Sequence, residues 1–280
     1  MAAHRFAGSD GQQLAADLYG PDAGTPVLLI GGLGQTRHSW QRAAMMIAAN
    51  GRRAITMDIR GHGDSDRAPD DDYSYARHAA DIAAVAAQIG RPVVMAGNSL
   101  GGKIALAAAA ICGPSVVKAL AMVDAVPHSR PEGIRQIAGS MQLAVTGFAS
   151  PDEAAAQIAA ARGLPLAPDA GQRLARNMRR DANGRWHWHW DPSYRDPRHK
   201  LGLGPGTELL DQLASQVSVP ALLAWCELSE IVTVEGVAAL KDLIAHLEVE
   251  IIPGARHTIV GDQNDLFADT LLRFLARNAV

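Results

Sequence analysis

The chain has 280 residues, 48% of them apolar and 20% charged, with a formal net charge of −3, which is the mixture of a folded globular protein. It carries neither the basic stripe that a nucleic-acid binder uses nor a polybasic membrane patch, so neither partner is expected. No apolar run reaches the ~18 residues of a membrane span, and Asp10, Gln12, Gln13 and Asp17 stand where a secretory leader would be apolar, so the expected location is cytoplasmic.

From the N-terminus, His4 to Tyr19 holds two alternating segments around Ser9-Asp10-Gly11, the pattern of a β-hairpin. Short continuous apolar runs follow at 27–30, 54–58, 93–96, 119–123, 221–225 and 249–252, most of them ending at Gly, Asp or Pro. Unbroken apolarity over so few residues suits strands buried on both faces. Helical periodicity fills the gaps at 42–50, 74–89, 102–110, 234–246 and 264–275. Strand and helix in alternation predict an α/β fold with a mostly parallel sheet flanked by helices.

One interval breaks the rhythm. Residues 128–217 offer no strand for the main sheet and show helical segments near 131–147, 151–162 and 169–180. They are expected to form an inserted helical cap, or lid, on a core made of residues 1–127 and 218–280. Within it Trp186-His187-Trp188-His189-Trp190 alternates, which in an extended segment puts three indoles on one face and two imidazoles on the other. Packing of the cap is the expected role of Trp186, Trp188 and Trp190, with a pocket wall as the alternative. His187 and His189 lack an evident third ligand, so no metal site is expected. Cys112 and Cys226 lie in apolar stretches far apart and are read as buried reduced thiols.

Chemistry concentrates at four places. Gly97-Asn98-Ser99-Leu100-Gly101-Gly102 joins an expected strand to an expected helix, and glycine two places either side of a serine is the spacing of a nucleophile elbow. Small residues there let the backbone turn sharply enough to lift the hydroxyl above the sheet, while the helix N-terminus aims its free N–H groups at any negative charge developing nearby. A serine hydroxyl needs a base, most often histidine, oriented by a carboxylate. Of ten histidines, His257 is favoured because it follows a strand on a loop, where α/β sheets place their chemistry. His62 also follows a strand but precedes Ser99. Two acids fit the remaining role: Glu230, after the run ending at Trp225, is favoured over Asp124, after the run ending at Val123. Leu100 and Leu33, the latter in Gly31-Gly32-Leu33-Gly34, are expected to supply the two backbone donors of an oxyanion hole. Trp40, seven residues beyond Leu33, is read equally as a pocket residue or as a pin for that loop.

From about Pro26 to the C-terminus the chain resembles the α/β-hydrolase family. The likeness is carried by the segment Gly31-Gly32-Leu33-Gly34 to Trp40, by Asp58-Ile59-Arg60-Gly61-His62-Gly63-Asp64-Ser65, by the elbow, and by Gly254-Ala255-Arg256-His257. The Trp-His alternation also resembles a cap segment of a branch labelled esterase or cofactor-free haloperoxidase. The resemblance implies a cofactor-free serine hydrolase cleaving an ester or lactone through an acyl-enzyme, with Ala and Leu in the cap pointing to an apolar small-molecule substrate. Cofactor-free oxygenation, C–C bond hydrolysis, or a non-catalytic ligand receptor are the alternatives on the same scaffold. Three positions depart from the family pattern. Gly31-Gly32 replaces His-Gly and removes a side chain that braces the oxyanion loop, Ser229-Glu230 replaces Ser-Asp, and Arg256 replaces the glycine before the histidine.

Overall fold

The computed structural model describes residues 4–142, 147–163, 165–175, 177–195, 208–257 and 264–280. Its frame is an eight-stranded sheet in the order β1-β2-β4-β3-β5-β6-β9-β10. Strands β1 (His4–Ala7) and β2 (Gln13–Tyr19) form an antiparallel hairpin that joins the sheet at β4 (Arg53–Met57). From there every pairing is parallel, through β3 (Pro26–Ile30), β5 (Val93–Asn98), β6 (Val117–Val123), β9 (Ala221–Cys226) and β10 (Leu247–Ile252).

Period-two alternation sorts these strands into two apolar layers. Leu28, Ile30, Met95 and Leu223 face one core, which also holds residues from α2 (Tyr75–Ile89), α3 (Leu100–Cys112) and α8 (Val234–Leu243). Val27, Leu29, Val94 and Leu222 face the other, with α1 (Gln41–Ala49) and α9 (Asn264–Arg277). Leu28, Leu29 and Ile30 are wholly buried, and burying each such side chain contributes about 1.5–3 kcal/mol. Local signals set the helix ends. Ser74 Oγ accepts from the Arg77 N–H and Gly90 closes α2 in the left-handed conformation, while Thr233 caps α8 in the same way as Ser74.

Between β6 and β9 the expected helices are present as α4 (Pro131–Gln142), α5 (Pro151–Arg162) and a short α6 (Ala170–Ala175). Two corrections apply here. Met178–Arg180, expected to be helical, is strand β7, paired antiparallel with β8 (Trp186–Trp188) into a two-stranded ribbon. The ribbon registers Trp186 on Arg180 and Trp188 on Met178, so the Trp-His alternation is that of a strand. At the other end, α7 (Glu208–Ala214) buries Leu210, Leu213 and Ala214 in the main core against α3 and α8. An apolar i, i+3, i+4 stripe holds this helix to the core rather than to the inserted segment.

Candidate active site

Strand β5 delivers Ser99 at its carboxyl end, in a backbone conformation (φ 53°, ψ −116°) that an L-residue rarely adopts. Glycines permit it. A Cβ on Gly97 would lie 2.2 Å from the Gly101 carbonyl carbon, and one on Gly101 would lie 2.5 Å from the Gly31 oxygen, so α3 can approach the sheet only because both are absent. Ser99 donates its N–H to Val123 O at 3.0 Å and starts α3, leaving its side chain partly exposed above the strand ends.

His257 follows β10 and is buried, with its Nε2 3.1 Å from Ser99 Oγ. Its Nδ1 lies 2.8 Å from Oδ2 of Asp124, the residue directly after β6. Asp124 is fully buried and takes a left-handed conformation (φ 48°) that Asp tolerates better than most residues. Its Oδ1 accepts from the Cys226 N–H at 3.1 Å, and its Oδ2 also accepts from Ser229 Oγ at 2.7 Å. Ser229 Oγ in turn accepts from the N–H groups of Ile231 and Val232. A buried carboxylate so supplied with donors stays fixed while it faces an imidazole.

The acid favoured from sequence is placed elsewhere. Glu230 lies at the rim, where Oε1 accepts from Arg256 Nη1 at 2.8 Å and Oε2 takes only the main-chain N–H of His257 at 3.4 Å. Partial burial pushes its pKa up, but the Arg256 guanidinium and the main-chain amides of Glu230 itself and His257 outweigh burial and hold it below the usual glutamate value. The reason is directional. β6 and β9 are neighbours, and the left-handed turn at Asp124 aims its short side chain across the end of β9 toward His257, whereas Glu230 sits four residues beyond Asp124's contact with Cys226 and turns toward Arg256. Burial, with Asp124 and Glu230 nearby, raises the Cys226 thiol far above its ordinary pKa. Both cysteines are free, and Cys112 is only half-buried.

The loop after β3 lies against the serine from the other side, where a Cβ on Gly32 would be 3.1 Å from that of Ser99. Residues Gly32–Gln35 close a turn, Gln35 N–H to Gly32 O at 3.0 Å, with φ 81° at Gly34 as type II turns require of their third residue. The turn's own hydrogen bond uses neither the Leu33 nor the Gly34 amide, and Leu100 begins α3 beside Ser99. The brace lost with the His-Gly pattern is replaced by groups that sequence reasoning missed. Gln35 Oε1 accepts from Gly32 N–H at 2.7 Å, His62 Nε2 accepts from Gly34 N–H at 3.3 Å, and His189 Nε2 lies 3.2 Å from Gly34 O. Their signals were the Gly-His-Gly spacing around His62 and the imidazole face of the Trp-His alternation.

Both imidazoles are nearly inaccessible and neutral. Burial pushes His189 down to about 4, with Arg179 and His38 nearby adding to the effect and the Gly34 carbonyl and Asp64 opposing it. Burial likewise holds His62 well below its ordinary value, reinforced by His189 and His78 and opposed by the Arg60 carbonyl.

The indoles divide. Trp40 is fully buried on the far side of the sheet, edge-on to Phe267 of α9 at 5.3 Å, so it locks α1 to α9 and is not a pocket residue. Trp190 is buried in the main core, while Trp186 and Trp188 are half-buried against the small cluster of Phe148, Ala154 and Met178. His187 pairs with Asp181 at 3.0 Å. Among the described residues no group of three or more His, Cys, Asp or Glu could hold a metal ion, and no helix is long and apolar enough to cross a membrane.

A parallel sheet carrying a strained serine between strand and helix, with a histidine loop beyond its last strand, defines an α/β protein of the hydrolase type. The family model described as alpha/beta hydrolase fold matches residues 25–263, and the chain belongs to that family. It is 28% identical to mouse (Mus musculus) sn-1-specific diacylglycerol lipase ABHD11 over 94% of this chain and 85% of the lipase. It is 27% identical to esterase Rv0045c of Mycobacterium tuberculosis over 89% of this chain and 82% of the esterase. Among solved structures, E-2-(acetamidomethylene)succinate hydrolase superposes with a TM-score of 0.83 at 22% identity, covering 98% of this chain and 99% of that one, which speaks for the fold.

Proposed function

We propose that this protein is a serine hydrolase that cleaves a carboxylic ester or lactone through an acyl-enzyme. The observation that carries the reading is the hydrogen-bonded line from Ser99 Oγ through His257 to Asp124, at 3.1 and 2.8 Å. His257 Nε2 takes the hydroxyl proton as Ser99 Oγ attacks the acyl carbon, and Asp124 holds the ring in the tautomer that leaves Nε2 free to accept. The carbonyl oxygen becomes an oxyanion held by the N–H groups of Leu33 and Leu100. The tetrahedral adduct expels the alcohol, protonated by His257, and water activated by the same imidazole then releases the acid and frees Ser99. Lipase and esterase relatives support ester chemistry, and the apolar character of the inserted segment, with Trp186 and Trp188 beside Phe148, supports an apolar acyl or alcohol group.

The test is a panel of p-nitrophenyl esters of increasing chain length and a set of lactones, followed by rapid quench and intact-mass measurement with the best substrate. A mass increase equal to the acyl group, located on Ser99, is expected. Turnover with no such adduct under any quench condition, and undiminished in Ser99→Ala, would mean that His257 serves as base for oxygenation or C–C cleavage instead.

A further inference from the structure

We infer that His189, reaching in from the inserted segment, is a positioning residue for the oxyanion loop and works as a pair with His62. This rests on the reading of Leu33 as an oxyanion donor.

Two imidazoles grip one glycine. His62 accepts from Gly34 N–H at 3.3 Å, and His189 lies 3.2 Å from Gly34 O. Each ring has its other nitrogen committed. His189 Nδ1 accepts from Gly63 N–H at 2.6 Å, and His62 Nδ1 faces Arg60 O at 3.4 Å. A neutral imidazole has one donor and one acceptor, so these partners fix both tautomers. His189 must carry its proton on Nε2 and donate to Gly34, whereas His62 must carry it on Nδ1 and accept from Gly34. The rings meet edge to face, with centroids 5.6 Å apart.

The peptide that His62 holds joins Leu33 to Gly34, next to the one that bears the Leu33 amide. Fixing Gly34 on both its N–H and its C=O therefore sets the direction of the Leu33 N–H. His189 is itself tied down, because Arg179 of the ribbon donates to Gly63 O and lies 3.0 Å from Asp64, and Asp191 N–H donates to Gly61 O at 2.8 Å. The inserted ribbon thus clasps the loops after β3 and β4 together, and the oxyanion loop is incomplete without it.

Asn and Gln separate the two bonds of each ring. At 189, Asn keeps an acceptor for Gly63 but cannot reach Gly34, while Gln keeps the donor to Gly34. In His189→Asn we expect kcat to fall by about 10- to 100-fold, the scale of a displaced oxyanion donor, with KM within about twofold. The Ki of a trifluoromethyl ketone should rise by the same factor as kcat/KM falls. In that adduct Ser99 Oγ bonds to the carbonyl carbon, the hydroxyl proton passes to His257, and the oxygen becomes an oxyanion, so it reads the hole directly. His189→Gln should recover to within about threefold of the parent. His62→Asn and His62→Gln should show the same split and decide the matter if circular dichroism finds His189→Asn unfolded.

Equal rates in the Asn and Gln variants of both positions, or a fall in kcat with an unmoved ketone Ki, would overturn the clamp alone. A wild-type protein that forms no ketone adduct at Ser99 would overturn both the clamp and the acyl-enzyme reading.

Discussion

The two sides of Ser99 are held by different physics. On the side of His257, every group comes from the ends of neighbouring strands. Asp124 follows β6, Cys226 ends β9, His257 follows β10, and a buried charge with converging donors fixes the arrangement. On the side of the loop after β3 there is no charge at the glycine turn. Neutral imidazoles hold it, and one of them directly follows a ribbon inserted more than a hundred residues away in sequence. A strand-end charge network is as rigid as the sheet that carries it, whereas a clasp between loops is only as firm as the segment that supplies it.

The largest expected effect sets the baseline for both sides. Ser99→Ala should lower kcat by about 10⁶-fold in steady-state ester assays, as for other hydroxyl nucleophiles of this kind, and activity near the parental level in a pure preparation would refute the nucleophile. Next comes the contrast between the carboxylates. Asp124→Asn should cost about 10⁴-fold in kcat because the ring loses its tautomer, while Glu230→Gln should stay within about threefold because its carboxylate touches only Arg256 and a main-chain amide. The reverse order would move the orienting role back to Glu230.

The oxyanion side should reveal itself in acid. The folded pKa of His189 is depressed to about 4, against about 6.5 for an unfolded histidine, so between these values the unfolded chain binds a proton that the folded chain refuses. Its contribution to stability is therefore complete above pH 6.5 and is lost as pH falls toward 4, by roughly 2–3 kcal/mol over that window. Denaturant titrations at successive pH values should show this slope, and His189→Gln should flatten it; an unchanged slope would mean the imidazole is not held neutral. The smallest effect is expected at the rim, where Arg256→Ala breaks an ion pair between an exposed arginine and a half-buried glutamate and should shift stability by no more than about 0.5 kcal/mol in the same titrations.

The alternation of strand and helix, the elbow around Ser99 and the position of His257 after the last strand could all be read along the chain, because each depends on a short-range pattern of apolar period, glycine and turn. What could not be read was direction. Asp124 and Glu230 both follow strands that end beside each other, and nothing local distinguishes them. The choice came from a left-handed residue at 124 and from two donors at the end of β9, the Cys226 N–H and Ser229 Oγ, that hold its carboxylate. Trp40 was legible as a large apolar residue near the oxyanion loop, but the register of the short helical turn that carries it sends the indole to the opposite core.

The amino-acid order by itself thus determined the layered α/β scaffold and put a serine at a strand-to-helix turn and a histidine after the last strand, since apolar period and glycine spacing act over a few residues and need no distant partner. Only the tertiary structure decided which carboxylate meets the imidazole, which core receives Trp40, and that His189 reaches across to Gly34. Those outcomes rest on contacts between residues far apart in the chain, and a hydrogen bond's direction is fixed only once both backbones that carry it have been placed.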